Sequence, residues 1–178
     1  AETENSGSKI WGIHAEGPFI SEKYKGAMNP KYIIKPDIEK LDQLQQRSKG
    51  LLKILTIAPE TESATELICH AVKQGLIVSM GHTNATYDEA KAAIEAGASQ
   101  ATHLFNAMRG LHHREPGILA AALTDPKVRC EMICDHVHLH PAVLQLIYQC
   151  KTADGINIIS DSGHAAGLNV SQFEVDGI

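Results

Sequence analysis

The sequence lacks the features that mark membrane, exported and nucleic-acid-binding proteins. No apolar run approaches the ~18 residues that a membrane-spanning helix requires, and the polar segment at residues 1–9 has no apolar stretch of the signal-peptide kind. No block of like charge is present, and 16 basic against 21 acidic residues give a formal net charge of −5. We therefore expect no membrane or nucleic-acid partner, and a cytoplasmic location.

Three common enzyme motifs are also missing from the sequence: the phosphate-binding P-loop, the glycine-rich dinucleotide fingerprint and the serine-hydrolase elbow. The 4 cysteines form no CxxC motif, which is typical of reduced, mostly buried thiols rather than of disulfides or a thiolate metal site. Histidine, in contrast, occurs 10 times. It is both the commonest metal ligand and the usual proton carrier near neutral pH.

A short apolar, β-branched segment followed by a polar turn and a helical segment recurs along the chain. Several of these segments are apolar on both faces, as strands of parallel sheets are when helices cover them. Six strand–helix units in succession predict a parallel α/β architecture. The predicted strands are Ile10–His14, Leu52–Ile57, Leu76–Met80, Ser99–His103, Val128–Cys134 and Ile156–Ser160.

The predicted helices between these strands have recognisable start signals. Asp37 is a candidate N-cap, residues 86–89 (TYDE) form a capping-box pattern, and Pro141 suits a first helical position. Thr61 or Ser63 is expected to start a further helix.

Each predicted strand is followed by an ionisable or metal-binding side chain. The carboxyl ends of parallel strands converge on one face, where α/β enzymes place their chemistry. The strand-end residues, in chain order, are His14 with Glu16, Glu60, His82, His103, Asp135 with His136 and His138, and Asp161 with His164.

This pattern predicts a metal site, although each residue also has a simpler explanation. A carboxylate and two imidazoles from separate strands suit a divalent transition metal, which makes hydroxide available from water at neutral pH. A second carboxylate must then move the proton, and Asp161 is the best-placed candidate. A single histidine at a strand end is more often a hydrogen-bonded polar group. Glu16 alone could pair with Lys23 or Lys25, and Asp161 alone could cap a turn.

Six segments of the sequence form a recognisable set: residues 14–19 (HAEGPF), 25–26 (KG), 81–86 (GHTNAT), 102–108 (THLFNAM), 114–117 (REPG) and 160–161 (SD). Together they resemble the N-acetylglucosamine-6-phosphate deacetylases of the amidohydrolase superfamily. Both residue identity and spacing agree from about residue 10 to residue 168.

The resemblance implies a distorted (β/α)8 barrel and a role for each matching residue. Glu16, His82 and His103 match metal ligands, and Asp161 matches the catalytic acid and base. Zinc is the first expectation for the metal, although iron, cobalt and manganese accept the same ligand types.

The resemblance also implies how the substrate is held. Asn106, the backbone N–H of Ala107 and His138 match groups around the sugar phosphate. Arg114 matches a phosphate-binding arginine that reaches across from a partner subunit, so a homodimer is expected. The planar guanidinium suits this task because it can engage two phosphate oxygens.

The chain departs from this family in its extent. Six of the eight strands of a TIM-like barrel are recognisable, whereas a complete barrel typically has about 250 residues. We therefore interpret residues 1–178 as a single, incomplete barrel domain that lacks the first two strands and a small β domain. Open sheet edges are expected, and activity of the isolated segment is doubtful.

A second departure lies in the long connection after the first predicted strand. The family often has histidine after a Gly-Ala pair, where this sequence has Met28 after Gly26 and Ala27. That histidine helps to polarise the amide carbonyl, and methionine cannot donate a hydrogen bond. Either the metal alone polarises the carbonyl or another group, such as His164, substitutes.

The resulting hypothesis is metal-dependent removal of the acetyl group from N-acetylglucosamine 6-phosphate, giving glucosamine 6-phosphate and acetate in amino-sugar catabolism. Two alternatives remain open. One is an amidohydrolase acting on a cyclic amide or a base, and the other is a non-catalytic module that binds a sugar phosphate.

Overall fold

The structure, a computed structural model, describes residues 9–163, 165–169 and 172. Helices and strands alternate along the chain. The strands are β1 (Ile13–Glu16), β2 (Leu52–Ile57), β3 (Ile77–Met80), β4 (Gln100–Ala101), β5 (Arg129–Ile133) and β6 (Ile156–Ile159). The α-helices are α1 (Ile38–Arg47), α2 (Ala64–Lys73), α3 (Tyr87–Glu95), α4 (Gly117–Thr124) and α5 (Pro141–Lys151), and short 3-10 helices lie at Glu22–Tyr24, Pro30–Tyr32 and Ala153–Gly155.

The strands form one parallel sheet in the order β1-β2-β3-β4-β5-β6, so each strand pairs with its neighbours in the chain. The helices connect successive strands, which gives part of a β/α barrel. The predicted fold class, an incomplete TIM-like barrel with six strands, is therefore confirmed. The outer sides of β1 and β6 have no strand partner among the described residues. Apolar side chains are exposed near both edges, with Trp11 78% and Ile158 73% exposed.

The main core lies between the sheet and the helices. Leu55, Val78 and Met80 of the strands are fully buried and belong to the same cluster as Leu67 of α2 and Leu119 of α4. Burying a leucine side chain contributes about 1.5–3 kcal/mol relative to exposure. This apolar layer fixes the strands against the helices and thereby fixes where the strand ends lie.

Three helix starts follow from the local sequence. Asp37 Oδ1 accepts a hydrogen bond of 3.0 Å from Lys40 N, and residues 86–89 form both hydrogen bonds of a capping box. Pro141 occupies the first position of α5. The start of α2 is different, because Ser63 precedes the helix in a left-handed conformation and its side chain caps nothing.

The strand bounds differ from the sequence prediction at two places that matter for the site. β1 begins three residues later than predicted and ends at Glu16, so the carboxylate lies on the last residue of the strand. β4 contains only Gln100 and Ala101, because the chain turns immediately afterwards and His103 adopts φ +30°. None of the helices in the described part of the chain has the length and apolar character needed to cross a membrane.

Candidate metal centre at the carboxyl ends of the strands

The carboxyl ends of the strands open into a cavity of about 1000 Å³. Glu16, His82 and His103 line one part of it, and Asn106 and Asp161 line another. The face predicted from the strand-end residues is therefore a concave site in the folded chain.

Glu16, His82 and His103 converge tightly on one point. Glu16 Oε1 lies 2.8 Å from His82 Nε2 and 2.8 Å from His103 Nε2, and the two Nε2 atoms are 3.1 Å apart. The two imidazole side chains are only 7% and 4% exposed, whereas Glu16 is 32% exposed on the cavity side. These three residues are a group whose ligand atoms could hold one metal ion.

Strand ends and unusual backbone conformations bring these three side chains together. Glu16 ends β1, and His82 and His103 each lie two residues beyond a strand, at positive φ values of +46° and +30°. Such conformations are unfavourable for residues other than glycine and persist where the surrounding structure holds them. Gly81 allows the required closeness of the two strand ends, because a Cβ at this position would lie 2.7 Å from Thr102 Cβ.

The hydrogen bond of His82 to Tyr24 leaves the other ring nitrogen available as a ligand. Its Nδ1 lies 2.8 Å from the Tyr24 carbonyl oxygen, which can only accept, so Nδ1 donates in this contact. Nε2 is then directed at Glu16 Oε1, 2.8 Å away. The donor set of two imidazole nitrogens and one carboxylate oxygen fits a divalent transition metal.

The closeness of these side chains also shifts the pKa values of Glu16 and His103. Hydrogen bonds from His103 and His82 hold the pKa of Glu16 far below its ordinary value. Burial lowers the pKa of His103, but the hydrogen bond and the charge of Glu16 outweigh that effect, and the pKa is raised. His103 Nδ1 is buried and has no hydrogen-bond partner among the described residues.

Asp161 also lines the cavity; it lies just beyond β6 at φ +52° and is exposed. Its charge favours the protonated form of His103, after the larger effects of burial and of Glu16. The structure therefore brings the predicted acid and base to the same cavity as Glu16, His82 and His103. We refer to these three residues as the metal-ligand cluster. His164, the suggested substitute for the missing histidine, lies outside the described residues.

The four predicted phosphate-binding groups divide into two sets. Asn106 and Ala107 line the cavity, and Ala107 adopts φ +48° in the loop that follows His103. His138 and Arg114 are exposed and are not among the described residues that line it. The structure thus leaves the predicted contacts of these two residues with a phosphate untested.

His138 is nevertheless held in a defined orientation by Asp135. Asp135 Oδ2 lies 2.7 Å from His138 Nδ1, and Oδ1 accepts hydrogen bonds from the backbone N–H groups of Val137 (2.8 Å) and His138 (2.9 Å). These contacts, led by the backbone hydrogen bond from His138, lower the pKa of Asp135 to about 2. The ionised carboxylate of Asp135 keeps the proton on His138 Nδ1. Nε2 of the same ring takes no part in this contact.

The long connection after β1 forms an apolar wall of the cavity. Met28, Tyr32 and Ile33 line it, as does Gly26, which comes close to the metal-ligand cluster. A Cβ on Gly26 would lie 3.2 Å from His82 Cε1, and its φ of +57° also favours glycine. The thioether of Met28 therefore occupies the position for which a hydrogen-bond donor is expected from the family resemblance.

Sequence reasoning did not identify a polar layer between the strands, which begins at the exposed His14 and continues through buried hydroxyl groups. His14 Nε2 lies 2.7 Å from Thr56 Oγ1, which lies 2.8 Å from Thr102 Oγ1, and Ser79 Oγ is 2.6 Å from the latter. Glu131 of β5 belongs to the same interior, because its carboxylate accepts hydrogen bonds from the Gln100 side chain (2.6 Å) and the His103 backbone (3.2 Å).

A carboxylate within an apolar strand was the available sequence signal for this layer. Burial raises the pKa of Glu131. Its hydrogen bond to the His103 backbone supports the loop that carries one of the three clustered side chains.

Glu60 is the second residue whose role was not predicted. It follows β2 as expected, but its carboxylate is directed at Thr83 and Asn84 rather than at the metal-ligand cluster. The position at a strand end indicated a functional residue, and nothing in the local sequence indicated these partners, which lie 23 and 24 positions further along the chain.

Comparison with known proteins gives strong similarity to one group of enzymes. No protein-family model matches the chain. It is 41% identical over 176 residues to N-acetylglucosamine-6-phosphate deacetylase of Bacillus subtilis, which covers 99% of this chain and 44% of that protein. It is 38% identical over 171 residues to N-acetylgalactosamine-6-phosphate deacetylase of Escherichia coli O157:H7, covering 96% and 45%.

Solved structures agree with this similarity. The crystal structure of N-acetyl-D-glucosamine-6-phosphate deacetylase from Mycobacterium smegmatis matches with a TM-score of 0.86 and 41% identity, over 88% of this chain and 41% of that one. A mutant of the same protein in complex with N-acetyl-D-glucosamine-6-phosphate matches with a TM-score of 0.86 and 40% identity. The chain thus spans less than half the length of the proteins that it resembles.

Proposed function

We propose that this chain is the central part of the catalytic barrel of an N-acetylglucosamine-6-phosphate deacetylase. The reaction is hydrolysis of the amide of N-acetylglucosamine 6-phosphate to glucosamine 6-phosphate and acetate, within amino-sugar catabolism in the cytoplasm. The observation that carries this proposal is the convergence of Glu16 Oε1, His82 Nε2 and His103 Nε2 within 3.1 Å of one another. It occurs in a chain about two fifths identical to enzymes of this name.

The three clustered residues would hold one divalent metal, with zinc as the proposed ion and iron, cobalt or manganese as the alternatives. Such a metal supplies Lewis acidity, which polarises a carbonyl and acidifies water. A backbone contact within the chain sets the tautomer of one proposed ligand. The Tyr24 carbonyl fixes the proton of His82 on Nδ1, so that Nε2 is free to act as a ligand.

Asp161 is the proposed acid and base. Its exposed carboxylate lines the cavity and can accept a proton from water and return it to the departing amine nitrogen. Met28, Tyr32 and Ile33 of the β1–α1 connection line the cavity with largely apolar side chains. Because Met28 donates no hydrogen bond, the chain does not help to polarise the carbonyl from that position.

Phosphate recognition is proposed for Asn106, the backbone N–H of Ala107, His138 and Arg114. The first two line the cavity, so a sugar held between them and the metal-ligand cluster has its amide positioned for hydrolysis. Arg114 is exposed, which is compatible with a guanidinium that serves the cavity of a partner subunit. The working form is then a homodimer, completed in each copy by two further strands and a small β domain.

The relative from Escherichia coli makes N-acetylgalactosamine 6-phosphate the second candidate substrate. The full-length protein should be incubated with each sugar phosphate and with unphosphorylated N-acetylglucosamine, and the release of acetate should be measured. Faster release from N-acetylglucosamine 6-phosphate supports the proposal, whereas faster release from the galactose isomer supports the second candidate.

Equal rates with and without phosphate would favour a hydrolase of another amide. Tight binding without metal or acetate release would favour a non-catalytic module.

The dimer is tested by subunit complementation. Arg114→Ala and Asp161→Asn subunits are each expected to be poorly active alone. A mixture of the two contains heterodimers in which one site has an intact Asp161 and receives an intact Arg114. Acetate release that rises on mixing supports a shared site, and an unchanged rate contradicts it.

A further inference from the structure

Glu60 connects two neighbouring strand ends through hydrogen bonds that the proposed reaction does not use. One carboxylate oxygen, Oε2, accepts a hydrogen bond from the Thr83 hydroxyl, and the other, Oε1, accepts one of 2.6 Å from Asn84 N. The Thr83 hydroxyl in turn accepts a hydrogen bond of 2.9 Å from Ala85 N. We refer to Glu60, Thr83 and Asn84 as the Glu60 network.

The Glu60 network begins at the residue that follows a metal-ligand candidate. His82 has φ +46°, and Thr83 directly after it is fully buried. A strained backbone conformation of this kind persists only where neighbouring interactions hold it. Both donors to the Glu60 carboxylate lie within two residues of His82, so the carboxylate holds the backbone at the point where the strain occurs.

The same network reaches the loop that carries the remaining functional groups. Thr83 N donates to the Ala107 carbonyl oxygen (3.1 Å), and Arg109 N donates to the Thr83 carbonyl oxygen (3.0 Å). That loop begins at His103, and it has positive φ values at His103, Phe105 and Ala107. A shift of Thr83 would therefore move both the loop with His82 and the loop with His103 and Ala107.

We propose that Glu60 is a positioning residue that holds His82 and His103 in the geometry required for metal binding. Glu60 touches neither the metal-ligand cluster nor the substrate groups, and it acts through Thr83. This inference rests on the proposed function, because it gives Glu60 a role at the same metal centre. Substitution of a hydrogen-bond partner behind a metal ligand typically weakens metal affinity about 10–100-fold.

The test uses the full-length protein and measures affinity for Zn²⁺ by competition with a chromophoric chelator. Glu60→Gln keeps the size of the side chain but replaces one acceptor oxygen by an NH₂ donor, so the side chain can no longer accept from both the Thr83 hydroxyl and Asn84 N. We expect metal affinity to fall about 10–100-fold, KM for the sugar phosphate to rise, and kcat at saturating Zn²⁺ to change much less. The matched control is Glu62→Gln, since Glu62 is exposed and pairs with Lys35 on the surface at 2.7 Å.

Variants of Thr83 test the other side of the same hydrogen bond if Glu60→Gln does not fold. Thr83→Val removes the hydroxyl at nearly constant volume and should weaken Zn²⁺ binding, whereas Thr83→Ser keeps the hydroxyl and should retain it. The absorption spectrum of the Co²⁺-loaded protein should change in Thr83→Val and not in Thr83→Ser. In the double variant Glu60→Gln/Thr83→Val the losses of affinity should be less than additive, because both changes act on the same pair of hydrogen-bonded residues.

Zn²⁺ affinity within about twofold of the parent in both Glu60→Gln and Thr83→Val would overturn the inference. A fall in melting temperature without a fall in affinity would overturn it too, since it would show that Glu60 only stabilises the fold. A different result would contradict the proposed function. A parent protein that binds Zn²⁺ but releases no acetate contradicts the reaction, while the comparison of affinities still tests Glu60.

Discussion

His82 Nδ1 and the carbonyl oxygen of Tyr24 are joined by a hydrogen bond of 2.8 Å, although the two residues lie 58 positions apart. Since the carbonyl only accepts, this contact decides which nitrogen of the ring is protonated and which is available as a ligand. Tyr24 belongs to the connection between β1 and α1, and the backbone of Ser21 in the same connection donates to the His82 carbonyl oxygen at 2.9 Å. The connection therefore holds His82 from both ends of the residue.

Replacement of His103 by alanine should prevent stable metal binding. His103 contributes one of three converging ligand atoms, so its loss should weaken affinity by more than the about 10–100-fold expected for a partner behind a ligand. Metal analysis of the purified full-length protein is the measurement. His70→Ala is the control, because His70 lies on the surface and pairs with Asp42 at 2.8 Å. A His103→Ala protein with full metal content would contradict the assignment.

Asp161→Asn should lower acetate release about 10²–10⁴-fold, the usual contribution of a positioned acid or base. Metal content should stay at the parental level, since Asp161 lies outside the group of Glu16, His82 and His103. Turnover and metal content are measured on the same sample. Unchanged turnover would remove Asp161 from the reaction.

Met28→His should increase the turnover number for N-acetylglucosamine 6-phosphate. The new imidazole would restore a hydrogen-bond donor to the cavity wall, and one donor to a developing oxyanion can contribute about 10²–10³ in rate. Met28→Leu keeps an apolar side chain and should give no such gain. If Met28→His is no faster than Met28→Leu, carbonyl polarisation does not depend on this position.

Asp135→Asn should raise KM for the phosphorylated sugar only a few-fold, because the side chains of His138 and Asp135 are 43% and 41% exposed and solvent screens their interaction. The amide can still accept from the two backbone N–H groups, but its NH₂ group then faces His138 Nδ1. The preferred position of the ring proton changes as a result. KM for unphosphorylated N-acetylglucosamine serves as the internal control and should change little. Equal effects on both substrates would exclude a phosphate-specific role for this pair.

The contribution of Asp125 to stability should depend on pH. Its carboxylate accepts hydrogen bonds from Lys91 Nζ (2.7 Å) and Lys127 N (3.0 Å), which lower its pKa. Because the pKa is lower in the folded state than in the unfolded state, the contribution is present above the ordinary value of about 3.9. It is lost as the pH falls through the lowered pKa.

Asp125→Asn should therefore lower the melting temperature at pH 7 and lower it less near pH 3. Glu62→Gln is the comparison, since the pair of Glu62 and Lys35 is 74% and 82% exposed and should contribute little. A decrease for Asp125→Asn that is the same at both pH values would show that ionisation of this carboxyl does not matter.

The sequence predicted the parts of this molecule that depend on nearby residues. The capping box at Thr86 and the proline at the start of α5 are local patterns, and both are present. The parallel α/β architecture followed from the alternation of strand and helix, whereas the sequential order of the strands followed from the barrel that the family resemblance implies. The common face of the strand ends then brought Glu16, His82 and His103 together, as the metal-site hypothesis required.

The sequence could not predict features that depend on where distant side chains point. Glu60 occupies a strand end like Glu16, but only the folded chain shows that its carboxylate meets Thr83 instead of the two histidines. The start of α2 at Ser63 was one of the two predicted starts, but the sequence did not indicate that Ser63 adopts φ +63° and makes no side-chain cap. Position at a strand end therefore indicated that Glu16, His82 and His103 would lie together, but not which partner a residue such as Glu60 has.

The sides of β1 and β6 that have no strand partner among the described residues have a practical consequence for work with these 178 residues alone. Backbone donors and acceptors there, beside exposed Trp11 and Ile158, form a template on which a second copy can add strands. A preparation of the segment by itself should self-associate as its concentration rises, and kinetic or metal-binding data from it would describe aggregates. Enzymology should therefore use the complete barrel that we propose.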